Sequence, residues 1–225
     1  MPLAVTGGLE TVALRVPAHA VALSLLSAFG GAVAAPSANR FGAVSPTTAR
    51  HVHEELGGAI DFVLDGGPCA VGVESTIVDV TGDAPAILRP GGVSREDLER
   101  ALERSLPVEA KAAVRAPGQH PSHYAPRAKV VLVEPGEMAA EAQRLREEGR
   151  RVGCLLPPAG ASTQAIQTDV VIWVPGSMVE YARRLYDFLR EFDARGCDVI
   201  LASPPPQSGL GLAISDRLRR AAGPR

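Results

Sequence analysis

The chain has 225 residues, 46% of them hydrophobic, which is enough for one large domain or two modest ones around a sizeable core. Its 23 Lys and Arg residues against 25 Asp and Glu residues give a formal net charge of -2, so no broad basic surface for non-specific nucleic-acid binding is expected. The three cysteines lie far apart, which favours neither a disulfide framework nor a CxxC metal pair. We therefore expect a globular protein of the reducing cytoplasm.

Neither the first residues nor the most apolar stretch indicates a membrane or export signal. The opening MPLAVTGGLE lacks a basic segment and an apolar segment, and it resembles the middle of a domain. The apolar stretch from Ala18 contains His19, two serines and the Gly30-Gly31 pair. These residues favour a buried helix followed by a strand over a membrane span.

Several segments of the first half have strand patterns. Alternation and short apolar runs predict strands in TVALRV, AVAAP and AIDFVLD, at 11–16, 32–36 and 59–65. TIVDV (76–80) and AILRP (86–90), separated by a turn at Gly82-Asp83, predict an antiparallel hairpin.

Helices are predicted between these strands. An apolar helix runs from Ala18 to Phe29 and ends at paired glycines. Ser45 as N-cap, with proline at the first helical position, predicts a helix through about Leu56. Ser94 and Asp97 predict the start of a helix over 95–104. Strands and helices with a hairpin indicate a mixed α/β first domain over 1–106.

A proline-rich segment separates this domain from a different pattern. Residues 107–127 contain four prolines and no periodicity, which predicts a linker. From 128 to 225, strand-like runs such as KVVLVE, RVGCLLP, DVVIWVP and CDVILAS alternate with amphipathic helical patterns. This alternation predicts a second domain with a small parallel α/β sheet.

Small polar residues suggest a site for a phosphate or a carboxylate. Ser45 would lie at a positively polarised helix end, although it also suits a plain structural cap. Ser37 and Asn39 follow a predicted strand end, and Ser75 follows a glycine-rich loop. Their grouping along the chain favours a ligand site.

Two arginines are candidate anion ligands. Arg15 in the predicted strand 11–16 would share a face with Thr11 and could hold a carboxylate bidentately, unless it is only solvent-exposed. Arg89 precedes Pro90-Gly91-Gly92 and is a candidate phosphate ligand.

The linker carries an unexpected aromatic pair. His123 and Tyr124 could fold over a nucleotide base, or Tyr124 could simply pack the linker onto a domain. His51 and His53 are two residues apart on a helix and point to different faces, so we predict no metal site built by the protein.

The segment GLGLAIS partly imitates a dinucleotide fingerprint. Gly209 and Gly211 have GxG spacing, but Ile214 occupies the third glycine position. A helix start is the favoured interpretation, and the absence of a GxxxxGK[ST] loop means that any ATP would bind without a Walker motif.

A succession of ordered motifs resembles the long, two-domain form of the threonylcarbamoyl-AMP synthase family: GGLETVALRVPAH, APSANRFGAVSPTTARHV, LDGGPCAVGVESTIVDV, ILRPGGVS, SHYAP and GLGLAISDRLRRAA. The resemblance covers the chain from end to end. It implies a YrdC-like twisted-sheet catalytic domain, here partial, a linker covering the active site, and a C-terminal Rossmann-like domain.

The resemblance also implies a nucleotidyltransferase reaction. Threonine and bicarbonate would form a carbamate that attacks the α-phosphate of ATP, giving threonylcarbamoyl-AMP and pyrophosphate, with Mg²⁺ carried by the nucleotide. The product would pass to the transferase complex that modifies tRNA, while direct tRNA contact stays open. The matching motifs imply binding roles for individual residues but assign no catalytic side chain. Threonine would be bound by Arg15, Ala35 and Ser75. ATP would be bound by Thr11, Ser37, Ser45, Arg89 and Tyr124, and Asn39 and His123 would support these residues.

The family's usual first part of the catalytic domain, with its Lys-x-Arg signature, does not precede Met1. We therefore expect a truncated or misstarted chain that is inactive or weakly active alone. Two alternatives are a non-enzymatic nucleotide- or tRNA-binding module, and a NAD-dependent enzyme using the C-terminal domain.

Overall fold

A computed structural model describes residues 3–109, 123–157 and 166–224. The first part of the chain forms four helices and a two-stranded sheet. In chain order these elements are α1 (Leu3–Thr6), α2 (Ala20–Phe29), α3 (Ala49–Leu56), β1 (Ile77–Asp79), β2 (Ala86–Arg89) and α4 (Arg95–Leu102). Within the described ranges, no helix combines the length and apolarity that a membrane crossing requires.

The hairpin and its following helix confirm the sequence predictions. β1 and β2 pair antiparallel, with Ile77 opposite Arg89. Ser94 caps α4 because its hydroxyl oxygen accepts a hydrogen bond from the Asp97 amide at 3.1 Å. α2 ends at Gly30 as predicted, with a φ of 69° and a bond from the Gly30 N–H to the Leu26 carbonyl, but none of its residues is buried, so the prediction of a buried helix is wrong.

The strand predictions for 11–16, 32–36 and 59–65 are wrong. These segments are irregular, and they pair with no strand in the described part of the chain. Their apolar side chains are exposed, at 82% for Leu14, 93% for Val16 and 93% for Phe62. A strand is stabilised by its hydrogen-bonded neighbours and by burial of one face, and these segments have neither among the described residues.

The predicted helix start at Ser45 is also wrong. α3 begins three residues after Pro46, and its N-cap is Thr48, whose hydroxyl oxygen accepts from the His51 amide at 3.3 Å. Ser45 lies four residues before the first helical residue, Ala49, and its buried hydroxyl donates to Glu74 instead of serving as the N-cap. The predicted end holds, since Gly57 follows Leu56 and bonds to the His53 carbonyl.

The second part of the chain forms the predicted parallel sheet. Its elements are β3 (Lys129–Leu132), α5 (Met138–Glu147), β4 (Val152–Leu156), β5 (Val170–Trp173), α6 (Met178–Ala194), β6 (Val199–Ala202) and α7 (Leu210–Ala221). The strand order is β3-β6-β4-β5, and every pair is parallel. The chain is thus a mixed α/β protein, as predicted. Most of the predicted linker 107–127, namely residues 110–122, is outside the described residues.

Both faces of the parallel sheet are covered by helices. On one face Met138, Ala142 and Leu145 of α5 pack against apolar residues of β4 and β6. On the other face α6 and α7 form the larger core. Val44, Val73 and Tyr124 belong to that larger core, so apolar packing joins the first part of the chain to α6 and α7.

Candidate functional site

A buried carboxylate gathers side chains from both parts of the chain. Glu74 accepts hydrogen bonds from the Ser45 hydroxyl at 2.7 Å, from the Tyr186 hydroxyl at 2.9 Å and from Arg217 Nε at 2.7 Å. Tyr186 lies on α6 and Arg217 on α7, whereas Ser45 and Glu74 lie in loops of the first part. We call Ser45, Glu74, Tyr186 and Arg217 the Glu74 cluster.

The charges of this cluster are paired inside the protein. Arg217 is fully buried and also donates from Nη1 to Asp216 Oδ2 at 2.6 Å. Burial by itself would raise the pKa of Glu74, but the charge of Arg217 and hydrogen bonds from Arg217 and Ser45 outweigh it, so that pKa is lowered. Burial raises the pKa of Tyr186 well above its usual value, so its hydroxyl stays protonated and can donate.

Arg89 fixes the loop next to this cluster. Its Nε and Nη2 donate to the Ser75 carbonyl at 3.2 and 2.8 Å, while the Ser75 side chain stays exposed. The Glu74 carbonyl accepts from the Gly92 amide at 2.9 Å. Burial, followed by repulsion from Arg217, lowers the pKa of the Arg89 guanidinium. The peptide that carries Ser75 is therefore held by the end of the hairpin.

Tyr124 closes the site from the predicted linker. Its ring is 1% exposed and lies 5.7 Å from the Tyr186 ring and 4.2 Å from the His123 ring, centroid to centroid. The Arg217 guanidinium lies 5.1 Å from the Tyr124 centroid. Tyr124 has a φ of 62°, which is unusual for a residue other than glycine. The Tyr124 ring thus packs the end of the predicted linker against α7.

The structure brings together only some of the predicted site residues. Ser45, Ser75, Arg89, Tyr124 and His123 lie in or next to the Glu74 cluster. In the described ranges, no hydrogen bond or ion pair joins that cluster to the other predicted ligands of threonine or ATP, which are Thr11, Arg15, Ala35 and Ser37. Arg15, Ala35 and Ser37 are exposed, and Thr11 is half-buried.

Asn39 stabilises the loop that runs from Ser37 to Ser45, which we call the serine-containing loop. Its Nδ2 donates to the carbonyls of Arg40 at 2.9 Å and Ala43 at 3.1 Å. Ala43 forms a bridge to Ala125, whose amide donates to the Gly42 carbonyl at 2.8 Å. The serine-containing loop is thereby tied to the residue after Tyr124.

A second polar contact joins the two parts of the chain at α3. The Thr47 hydroxyl donates to Asp187 on α6 at 2.7 Å, and Arg190 donates to the Val44 carbonyl and pairs with Glu55 at 3.2 Å. A cleft of 340 Å³ opens beside Thr47 and Asp187. Burial, followed by repulsion from Arg190, lowers the pKa of His51.

Glu74, Tyr186 and Arg217 were missed by the sequence reasoning. A signal for Arg217 exists, because it lies four residues after Ala213 and four before Ala221 on the buried stripe of α7. A charged residue on an apolar helical stripe indicates a buried partner. Nothing comparable in the sequence singles out Tyr186.

The contacts among the described residues give little support to a metal site or to a dinucleotide site. Across the residues that the structure describes, no three His, Cys, Asp or Glu side chains group closely enough to hold a metal ion. At Gly211 an added Cβ would lie 2.0 Å from the Pro206 carbonyl oxygen. This close approach at the start of α7 explains the glycine without a nucleotide.

Comparison with known proteins assigns both parts of the chain. The family described as "Threonylcarbamoyl-AMP synthase, C-terminal domain" matches residues 93–223, and the Sua5/YciO/YrdC family, described as "Telomere recombination", matches residues 1–91. The threonylcarbamoyl-AMP synthase of Pyrococcus abyssi is 40% identical over 100% of this chain and 68% of its own length. That of Bacillus subtilis is 40% identical over 98% of this chain and 66% of its own length.

Solved structures agree with the sequence matches. The crystal structure of P. abyssi Sua5 complexed with L-threonine has a TM-score of 0.89 and 38% identity, covering 98% of this chain and 66% of that protein. A P. abyssi Sua5 variant with an adjacent histidine and tyrosine both replaced by alanine has a TM-score of 0.86 and 37% identity. The fold and the matches define a two-part α/β protein of the YrdC and Sua5 type. The chain belongs to the threonylcarbamoyl-AMP synthase family.

Proposed function

We propose that this chain supplies the site of a threonylcarbamoyl-AMP synthase at the junction of its two parts. The observation that carries the proposal is the grouping of Ser75, Arg89 and Tyr124 around Glu74 and Arg217. Family membership supports the reaction, and the L-threonine bound to P. abyssi Sua5 supports threonine as a substrate. We place this ATP- and threonine-consuming reaction in the cytoplasm.

The proposed reaction joins three small substrates. The threonine amine and bicarbonate give a carbamate and water. A carbamate oxygen then attacks the α-phosphorus of ATP, the bond to the β-phosphate oxygen breaks, and pyrophosphate leaves with that electron pair. The product, threonylcarbamoyl-AMP, would serve a transferase complex that modifies tRNA.

The residues of this chain would act by holding the substrates and stabilising charge. We assign the threonine carboxylate to Arg15, which is exposed and forms no ion pair in the described part of the chain, with Ala35 and Ser75 completing the threonine site. We assign ATP to Thr11, Ser37, Ser45, Arg89 and Tyr124.

Hydrogen bonding limits what Ser45 can offer to the nucleotide. Its proton already goes to Glu74, so its oxygen is left to accept a bond, as from a ribose hydroxyl, rather than to donate one to a phosphate. Arg89 suits phosphate, because a guanidinium stays charged even with its pKa lowered by burial.

Mg²⁺ would enter as part of the nucleotide substrate. The described residues offer no carboxylate or histidine cluster for it, and ATP phosphates are themselves suitable oxygen ligands. When bound, the ion would neutralise phosphate charge.

His123 and Tyr124 form the single His-Tyr dipeptide of this sequence. We infer that they correspond to the adjacent pair replaced in the P. abyssi Sua5 variant. Their position against Arg217 supports a role for the pair in closing the site.

The test is pyrophosphate release by the purified chain with ATP and Mg²⁺, with and without threonine and bicarbonate. We expect slow release that needs both additions and falls in a Ser75→Ala variant. Release that ignores threonine would contradict the proposal, and ATP binding without any release would favour a non-enzymatic nucleotide-binding module.

A further inference from the structure

One side chain of the second part of the chain touches two separate segments of the proposed substrate site. Arg217 donates from Nε to Glu74 at 2.7 Å, and its guanidinium lies over the Tyr124 ring with 5.1 Å to the centroid. Arg217 is fully buried on α7, whose apolar residues pack in the larger core. Its position is therefore set by the parallel-sheet domain.

Glu74 links Arg217 to Ser75. The two residues are adjacent, and the peptides on either side of Ser75 are each held: the Glu74 carbonyl accepts from Gly92, and the Ser75 carbonyl accepts from Arg89. A Cβ on Gly91 would approach the Glu74 carbonyl oxygen to 2.3 Å and the Ser75 carbonyl carbon to 2.4 Å. Because this packing leaves the loop little room, Glu74 and Ser75 are held as one segment, and the bond between Glu74 and Arg217 joins that segment to α7.

Tyr124 depends on the same guanidinium. Its positive φ of 62° is sparsely populated for a side chain with a Cβ, so surrounding contacts must hold it. Those contacts are the rings of His123 and Tyr186 and the charge of Arg217. The next residue, Ala125, is bonded through its amide to Gly42 in the serine-containing loop.

We propose that Arg217 is a positioning residue for the synthase reaction: through Glu74 it places Ser75 for threonine, and through its contact with the ring it places Tyr124 over the nucleotide. The inference rests on the proposed function, and it gives the C-terminal domain a defined part in building the substrate site. Arg217 need not touch either substrate.

The test compares Arg217→Lys and Glu74→Gln with Arg219→Lys, a matched control at an exposed residue of the same helix. Arg217→Lys keeps a buried positive charge but loses the planar fork. In steady-state pyrophosphate release, we expect the threonine KM to rise about tenfold in both test variants, with a smaller fall in kcat. The control should match the wild type. A loss of active protein at unchanged KM would show a merely structural role and overturn the inference.

A double-mutant cycle with Ser75→Ala separates positioning from general damage. If Arg217 acts through Ser75, Arg217→Lys should raise the threonine KM far less in the Ser75→Ala background than in the wild type. Equal effects in both backgrounds would contradict the inference.

Amide hydrogen exchange gives a readout that needs no activity. The Gly92 and Ala125 amides, which bond to Glu74 and Gly42, should exchange about tenfold faster in Arg217→Lys, while the Val174 amide of the parallel sheet keeps its rate. Unchanged exchange at the first two amides would overturn the inference. A wild type without threonine-dependent release would refute the proposed function instead, and exchange would then decide alone whether Arg217 positions these segments.

Discussion

Arg217 and Glu74 form an ion pair across the two parts of the chain, with 2.7 Å between Nε and Oε2. They are 143 residues apart in sequence. The Arg217 side chain is fully buried and that of Glu74 is 19% exposed, so little water can replace either partner. A buried pair of this kind is costly to break, because the remaining charge is left without compensation.

Glu74→Gln should therefore destabilise the protein by about 3 kcal/mol. The amide can still accept a hydrogen bond from Arg217, but it leaves the buried guanidinium with Asp216 as its remaining carboxylate partner. Denaturant unfolding measures the change. The control is Glu54→Gln, which removes a surface pair with Arg50 at 3.6 Å and should cost less than about 1 kcal/mol. Equal effects of the two substitutions would contradict the buried-pair argument.

The same carboxylate should make stability depend on acid pH. The pKa of Glu74 is lower in the folded protein than in the unfolded chain, so its stabilising contribution is present above the ordinary pKa of 4.5 and is lost as the pH falls through the folded value. Unfolding free energies measured from pH 7 downwards should therefore fall more steeply below 4.5 in the wild type than in Glu74→Gln. Parallel pH profiles would refute the assignment.

At Tyr124 the glycine variant should be more stable than the alanine variant. Tyr124→Ala removes the ring that packs on His123, Tyr186 and Arg217, and a loss of about 3–5 kcal/mol is expected. Tyr124→Gly removes one carbon more but tolerates the positive φ without the steric cost of a Cβ, so it should be about 1 kcal/mol more stable than the alanine variant. Thermal or denaturant unfolding of both variants gives the order. An alanine variant more stable than the glycine variant would show that the backbone changes conformation.

The parallel sheet was predicted correctly from the sequence, whereas the strands predicted at 11–16, 32–36 and 59–65 are not formed. In the second part, each apolar run lies beside another strand and beneath a helix of the same part, so pattern and environment agree. In the first part, alternation describes which side chains favour burial but not whether a neighbouring strand is present. Phe62 and Val16 have the right pattern and are 93% exposed.

The site was predictable only where its residues are local. Arg89 ends a hairpin that the sequence predicts, and Ser75 lies two residues before the first strand of that hairpin, so the two residues are local neighbours. Two of the three side chains that bond the Glu74 carboxylate come from α6 and α7, 112 residues later for Tyr186 and 143 residues later for Arg217. Local patterns carry no information about which distant side chain a loop carboxylate will meet.

The corrected helix start makes a prediction about two neighbouring hydroxyl residues. Thr48→Ala should destabilise α3 by about 1 kcal/mol, because the His51 amide loses its cap. Ser45→Ala should leave the helix intact and instead remove a hydrogen bond to Glu74, which raises the pKa of that carboxyl group towards its usual value. Hydrogen exchange at the His51 amide distinguishes the two, since it should speed up in Thr48→Ala alone. Faster exchange in Ser45→Ala would restore Ser45 as the cap.

Substitution by alanine should destabilise the protein far more at Gly91 than at Gly82, where the added methyl group has free space. A Cβ at Gly91 would meet backbone atoms at 2.3–2.4 Å, on the peptides that link Glu74, Ser75 and Thr76. Backbone cannot rotate away as a flexible side chain can, so Gly91→Ala should displace the Ser75 loop and cost about 1–3 kcal/mol.

At Gly82 no atom lies within 4 Å of the added carbon, so Gly82→Ala should change stability by less than about 0.5 kcal/mol. Calorimetric titration with threonine provides the functional measurement, with weaker binding expected in Gly91→Ala than in Gly82→Ala. If both variants are equally stable and bind threonine equally, Gly91 does not hold the loop, and Ser75 must be placed by Arg89 and Glu74 alone.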